Sequence, residues 1–260
     1  MSVYDYEYFK KAIYDLTKID LNAYKEKQMK RRIDTLIAKN GISGYENYVQ
    51  LLKKDSDKFE EFVNYLTINV SEFWRNPEQW KVLEESVIPE LMKKSGKNLK
   101  IWSAACSTGD EPYSLAMVLS DFIPLSQIQI IATDLDKEVL DKAKKGYYQE
   151  KSIRGLPEKY RKKYIEDDGS GVIRVKQEIR NCVTFKEHNL LKDTYESGFH
   201  LIVCRNVLIY FTEEAKDEVY YKFAKAMKPD GILFVGSTEQ IIGCEKYGFN
   251  AFRSFFYQKL

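Results

Sequence analysis

The sequence predicts an α/β fold, a parallel sheet of the nucleotide-binding kind preceded by a small all-α domain, and three observations carry it. Leu99–Leu119 (LKIWSAACSTGDEPYSLAMVL) reads as strand, glycine-containing loop and helix; Ile128–Thr133 (IQIIAT) reads as a second buried strand and runs into Asp134; residues 1–68 place apolar side chains at helical spacing. Leu99 to Ala105 is long and apolar enough for one buried strand, and Ser107, Thr108 and Gly109 interrupt it. Asp110 is expected to cap the next helix. Pro112 fits the first turn, where a missing N–H costs nothing, and Leu115, Met117, Val118 and Leu119 give the helix a broad apolar side. Such a unit makes a ligand cradle at the carboxyl edge of a parallel sheet.

The cradle's chemistry narrows the ligand. A dinucleotide site needs three glycines so that the backbone can approach a pyrophosphate; this loop has one, with Asp110 and Glu111 where phosphates would lie. Carboxylates repel phosphate but suit an ammonium group and a sulfonium. The expected cofactor is therefore S-adenosylmethionine, with Asp134 on the ribose hydroxyls and Glu111 near the methionine end. Singly, Glu111 would read as a complement to the helix dipole and Asp134 as a cap; together on consecutive strands they favour the cofactor.

Composition excludes several classes. At 260 residues, 44% apolar and 31% charged, the chain can bury one large domain and one small one. Met1 to Lys11 is polar and aromatic, unlike a secretory signal, and no apolar run reaches membrane-spanning length, so a cytoplasmic protein without membrane insertion is expected. Cys106, Cys182, Cys204 and Cys244 lack metal or redox spacing, and with only His188 and His200 neither a metal site nor a Ser/His/Asp relay is expected. The net charge of +2 does not advertise a nucleic-acid binder.

Along the chain, Tyr4–Leu16, Ala23–Ala38, Gly44–Leu52 and Lys58–Leu66 have helical spacing and form the expected helical domain, 1–68. Lys25 to Lys39 holds six Lys or Arg against two acids, and Lys27, Lys30 and Arg31 fall within one turn away from Ile33 and Leu36. A charge run is commonly a solvated face; a compact stripe can also dock an acidic helix. Residues 69–98 are expected as a linker, NVSEFWR followed by a helix over Glu78–Lys94. In 99–260, Lys137–Lys145 reads as helix. Val172–Val175 and Cys182–Phe185 suggest a small antiparallel insertion at about 168–187, and Phe199–Cys204 a buried strand. A helix over Glu213–Met227 capped by Thr212, a KPDG turn, a strand over Ile232–Gly236 and a last strand over Phe252–Gln258 complete a mixed, seven-stranded, Rossmann-like S-adenosylmethionine methyltransferase sheet.

As a set, NVSEFWR (69–75), WSAACSTGDEPYS (102–114), ATDLD (132–136), HNLL (188–191), CRNVLIYF (204–211) and KPDG (228–231) resemble the chemotaxis receptor glutamate O-methyltransferases, the CheR family, over nearly the whole chain. The resemblance implies transfer of a methyl group from S-adenosylmethionine to glutamates in the cytoplasmic helical bundle of chemotaxis receptors. It implies that Asn69, Ser71 and Arg75 touch the cofactor or the transfer site, that Glu111 holds the methionine amino group and Asp134 the ribose, and that Asn189, Leu190, Asn206 and Val207 line the adenine side. Tyr210 would face the reacting centre beside Arg75, and 1–68 would dock the receptor through Lys27, Lys30 and Arg31. Trp74 and Ser71 stand where the family often has phenylalanine and threonine. The Asp167–Gly171 turn is shorter than in members that bind a receptor's tail peptide, which speaks against such tethering here. A nucleic-acid or small-molecule methyltransferase is the rival within enzymes, although Asn206-Val207-Leu208-Ile209 lacks the prolines of an N-P-P-Y motif; a cofactor-binding sensor without catalysis is the rival outside them.

Overall fold

Apolar residues at helical spacing do form helices at the start of the chain: α1 (Tyr6–Thr17), α2 (Glu26–Lys39), α3 (Tyr45–Lys54) and α4 (Ser56–Thr67). The computed structural model describes residues 5–67, 69, 71–167 and 169–260; Tyr4, Ile68 and Asp168, where expected boundaries fall, lie outside them. Asp5 caps α1 by accepting the Tyr8 N–H, and Lys18 closes it in the left-handed region. Phe9, Ile13, Ile33, Leu36, Tyr48 and Phe62 are buried, with Phe9 and Phe62 edge to face at 6.2 Å.

The chain divides into two compact units, and the helical one takes in more than its N-terminal segment, because Tyr210–Glu218 belongs to it as well. Tyr24 and Phe211 form an isolated antiparallel bridge with rings 5.1 Å apart. Hydrogen bonds from Lys25 N–H to the Tyr210 carbonyl and from Thr212 N–H to the Ala23 carbonyl flank it.

The second unit, 70–209 with 219–260, is the α/β layer structure. Its first helix runs as α5 (Pro77–Val82), a π-turn (Leu83–Val87) and α6 (Ile88–Ser95). The widening has a local cause: Pro89 has no N–H for the Glu85 carbonyl, and a π-turn absorbs the broken ladder. The strands and helices that follow are β1 (Lys100–Ala104), α7 (Asp110–Leu119), β2 (Gln129–Asp134), α8 (Lys137–Lys145), β3 (Tyr147–Gln149), α9 (Glu158–Tyr164), β4 (Ile165–Asp167), β5 (Val172–Val175), α10 (Gln177–Arg180), β6 (Val183–Glu187), β7 (Phe199–Cys204), α11 (Glu213–Ala226, shared with the helical unit), β8 (Met227–Val235), β9 (Phe249–Arg253) and β10 (Phe256–Lys259).

The large sheet has the order β6-β2-β1-β7-β8-β10-β9, parallel from β6 to β8, with β10 antiparallel to both neighbours. The order reverses at β1, between β2 and β7, which places a crevice beyond the carboxyl end of β1. α7 is buried nearly all round, as its apolar sequence requires.

Three expectations need correction. The small sheet is β3-β5-β4, from Tyr147 to Val175, whereas Val183–Glu187, placed in the insertion at about 168–187, is a parallel edge strand beside β2. α10 separates β5 from β6, so the two runs do not form a hairpin, and β6 pairs with β2 from Ile130↔Val183 onward. The last strand, expected over Phe252–Gln258, is a hairpin of β9 and β10, with Phe255 at φ 68° and a bulge at Phe256/Tyr257. β8 begins before the KPDG sequence, not after it; a Cβ on Gly231 would stand 2.9 Å from the Lys228 carbonyl oxygen and 3.1 Å from that of Phe199, so this strand passes β7 closely only with glycine there.

Candidate active site

The loop between β1 and α7 holds Ala105 at φ 63°, Ser107 at 48° and Gly109 at 90°. Gly109 is itself the N-cap residue, and Asp110, expected as the cap, is the first residue of the helix. It turns inward instead: it is 1% exposed, its carboxylate accepts from the Thr108 hydroxyl at 2.6 Å, and the Ser71 hydroxyl also faces it. A Cβ on Gly109 would lie 2.9 Å from that of Ala143 and 3.2 Å from the Tyr148 hydroxyl, which donates to the Thr108 carbonyl at 2.6 Å. The loop is thereby pressed against α8 and β3, and its remaining backbone faces the crevice edge.

Asp134 ends β2 beside this loop. Its two carboxylate oxygens accept N–H groups from Ser107 (2.8 Å) and Asp136 (3.0 Å), and Asp136, not Asp134, caps α8. Burial pushes the Asp134 carboxyl up to about 6, against these two hydrogen bonds. Glu111 is raised as well, by burial first, while Arg205 and the Ser103 hydroxyl (2.8 Å) pull it back; burial likewise raises Asp110. Two carboxyls at the start of α7 and one at the end of the adjacent β2 are therefore held where ionisation is costly, and a bound cation with hydroxyl donors would relieve that cost. The buried Ser107 Oγ has no partner. These carboxylates, as acceptors and negative charges, fit the ammonium, ribose hydroxyls and sulfonium of S-adenosylmethionine.

Residues 71–75 of the NVSEFWR segment pack against the same unit. Phe73 N–H donates to the Ser152 carbonyl, Trp74 N–H to Ser114 Oγ at 3.3 Å, and the Trp74 ring stacks on Trp80 at 4.9 Å. Trp74 and Asn76 sit at φ 60° and 61°, a conformation disfavoured for both and least tolerable for the bulky tryptophan. Trp80 Nε1 donates to the Arg75 carbonyl at 2.9 Å, fixing the peptide that follows the half-buried Arg75.

Two buried charged residues here are not singled out by motif spacing. Arg205 follows β7 directly; its Nη1 is 3.5 Å from Glu111, its Nη2 donates to the Arg75 carbonyl, Asn76 Oδ1 and Gln79 Oε1, and its face lies 4.7 Å from the Phe234 ring centroid. Glu239 accepts N–H groups from Asn206 (2.6 Å), Gly236 (2.8 Å) and Ile209 (3.2 Å), joining the loops after β7 and β8. A signal for Arg205 exists in the sequence: an arginine directly after six apolar-strand residues stands at the carboxyl edge where ligands bind.

The remaining expected residues distribute unevenly. His188 N–H donates to the Asp134 carbonyl, which brings Asn189 and Leu190 to the end of β6 beside β2. The Asn189 side chain closes its own turn on Leu191 N–H, and Leu190 is buried. Asn206 is at φ 61° and, with Val207, follows Arg205. Ser71, Arg75, Glu111, Asp134, Asn206 and Val207 thus lie in one unit around the carboxyl ends of β1, β2 and β7. Asn69 and Tyr210 lie in the helical unit, where Asn69 Nδ2 donates to Thr67 Oγ1 at 2.9 Å.

In the helical unit Lys27, Lys30 and Arg31 line one shallow groove with Asp34, Thr35 and Ala38. Lys30 is engaged internally: it pairs with Asp34 at 3.0 Å and lies 5.6 and 5.7 Å from the Tyr6 and Tyr45 ring centroids. Lys27 and Arg31 are exposed.

A strand order reversing at β1, a one-glycine loop and a buried acid at the end of β2 define a methyltransferase of the S-adenosylmethionine-binding class. The chain belongs to the CheR methyltransferase family: the "CheR methyltransferase, SAM binding domain" description matches residues 69–254 and the "CheR methyltransferase, all-alpha domain" description matches residues 4–67. A chemotaxis protein methyltransferase of Listeria innocua is 43% identical over 98% of this chain and 97% of its own length. That of Escherichia coli is 33% identical over 90% and 83%. Among solved structures, a TehB-like SAM-dependent methyltransferase from Corynebacterium glutamicum overlaps 70% of this chain and 92% of its own at 16% identity and a TM-score of 0.39, too distant to bear on function. No described helix is long and apolar enough to cross a membrane.

Proposed function

We propose that this methyltransferase converts glutamate side chains in the cytoplasmic helical bundle of chemotaxis receptors to methyl esters, and that it works in the cytoplasm. The observation that best supports this reading is the acid-rich, one-glycine crevice, where Asp110, Glu111 and Asp134 gather at the carboxyl edge of the sheet. Among the described residues, His200 Nδ1 accepts the Lys100 N–H at 2.8 Å, and His188 is half-buried, edge-on to Trp102. A glutamate carboxylate, with a pKa of about 4.3, is already a nucleophile at neutral pH and needs no base.

Bound S-adenosylmethionine supplies a methyl group made electrophilic by the sulfonium. Asp134 holds the ribose hydroxyls, Glu111 the methionine ammonium, and Asn69, Ser71, Asn189, Leu190, Asn206 and Val207 complete the pocket. Charge disappears as carboxylate meets sulfonium, so tight ion pairing to either would stabilise the ground state more than the transition state. Arg75 and Tyr210 therefore serve by aligning the substrate carboxylate with the S–CH3 bond. Lys27 and Arg31, flanking the internally paired Lys30, contact an acidic receptor helix. The short turn at Asp167–Gly171 leaves recognition to this stripe and not to a receptor tail peptide.

The test incubates the protein with methyl-labelled S-adenosylmethionine and receptor-containing bacterial membranes. Label released as methanol by mild base is the expected result. Label stable to base, or label taken up by RNA instead, would overturn the glutamate assignment.

A further inference from the structure

We infer that Arg205 is a positioning residue for Arg75, holding the peptide after Arg75 at a fixed distance from the Glu111 end of the crevice. This rests on the reading of Arg75 as a residue of the transfer site. Arg205 is 7% exposed and immediately follows β7, the central strand of the sheet. Its Nη2 alone meets three acceptors, the Arg75 carbonyl at 2.8 Å, Asn76 Oδ1 at 3.1 Å and Gln79 Oε1 at 3.0 Å, while Nη1 reaches Glu111 across 3.5 Å. One planar cation thus spans from α7 to the start of α5.

The segment it holds needs holding. Trp74 and Asn76 both have positive φ, and such a backbone persists only where its surroundings over-determine it. The Trp80 indole N–H gives the Arg75 carbonyl a second donor, and Phe234 and Trp80 back the guanidinium at 4.7 and 5.7 Å. Lysine cannot replace this fork, because an ammonium on a flexible stem does not present coplanar donors to α7 and α5 together. Burial and the nearby Arg75 guanidinium lower Arg205's proton affinity, against Glu111 and Glu239, which keep it charged.

A double-mutant cycle tests this in the full-length protein, with methyl transfer to receptor membranes as the readout. Arg205→Lys is expected to lower kcat at least tenfold while changing receptor KM less than threefold. Gln79→Ala, which removes one of the three acceptors and keeps the Arg205 guanidinium, is expected to lower kcat two- to fivefold. In an Arg75→Lys background, whose own residual transfer the label can follow, both effects should shrink below twofold, since there is no longer a guanidinium to place. If Arg205→Lys fails to fold, the Gln79→Ala cycle decides alone. Effects that multiply independently of Arg75→Lys, or normal kcat in both single variants, overturn the inference. Wild-type kcat in Arg75→Lys itself overturns the transfer-site reading and this inference with it.

Discussion

The crevice at the end of β1 and the basic groove of α2 both depend on charge, yet they use it in opposite ways. Asp110 and Asp134 are buried and Glu111 nearly so, each held by named donors, so the interactions there act at low dielectric and are screened far less by salt. Lys27 and Arg31 stand in solvent, where a contact is worth a fraction of a kcal/mol to about 1 kcal/mol and falls with ionic strength. On the proposed reading, the difference teaches that a small ligand would be gripped by preorganised burial and a large partner met by a few weak, exchangeable charges.

Removing a buried carboxylate should sharpen the contrast most. Asp134→Ala or Glu111→Ala is expected to weaken S-adenosylhomocysteine binding by about 100-fold or more, as loss of one or two charge-assisted hydrogen bonds requires, with the thermal transition retained. Calorimetry checks it; a loss under threefold would place the ligand elsewhere. Next, Gly109→Ala puts a side chain at φ 90° and 2.9 Å from Ala143 Cβ, and should cost about 2–4 kcal/mol, a fall in Tm of roughly 5–10 °C. An unchanged Tm would mean that the loop is not pressed against α8.

The pH dependence is smaller and has a definite sign. In the free protein the Asp134 carboxyl is raised to about 6, so the native state holds this proton more tightly than the unfolded chain does. Its contribution to stability therefore falls as pH rises from about 4 to about 6, and ligand binding must expel the proton below that. Affinity for S-adenosylhomocysteine should drop by about fourfold between pH 7.5 and 5.5 from Asp134 alone, and further if Glu111 protonates with it. Affinity independent of pH over this range would mean that Asp134 does not need to be ionised. Least of all, Lys27→Glu with Arg31→Glu should raise receptor KM about two- to threefold at low salt, less at high salt, with cofactor affinity unchanged. Lys30→Glu is expected to lower Tm as well, because its ammonium also serves Asp34 and two tyrosine rings.

Much of this was readable from local pattern. β7 occupies Phe199–Cys204 as expected because a run of six buried positions between polar flanks has one interpretation, and β1 and β2 differ from expectation only at their ends. Partnership was not readable: the run at Val183 says strand but does not say whether β5 or β2 receives it, since both offer short apolar edges. The acids at Glu111 and Asp134 could be found because they sit at fixed offsets from a glycine loop. Arg205 works through bonds to positions 94 to 130 residues away, and Glu239 reaches Asn206 and Ile209, 33 and 30 residues away, so no short window of sequence contains those partners.

The helical unit closes only when Tyr210–Glu218 returns to it, and α11 runs on from there into the sheet unit. A module made of two separate stretches of chain cannot be exchanged by a single crossover between genes. Recombination that gave this sheet a new helical domain would have to carry Phe211 together with Tyr24, so the helical domain and the start of α11 are inherited as one piece. Natural chimaeras joined only near residue 69 should therefore be rare, and engineered ones should need two further junctions, one before Tyr210 and one within α11.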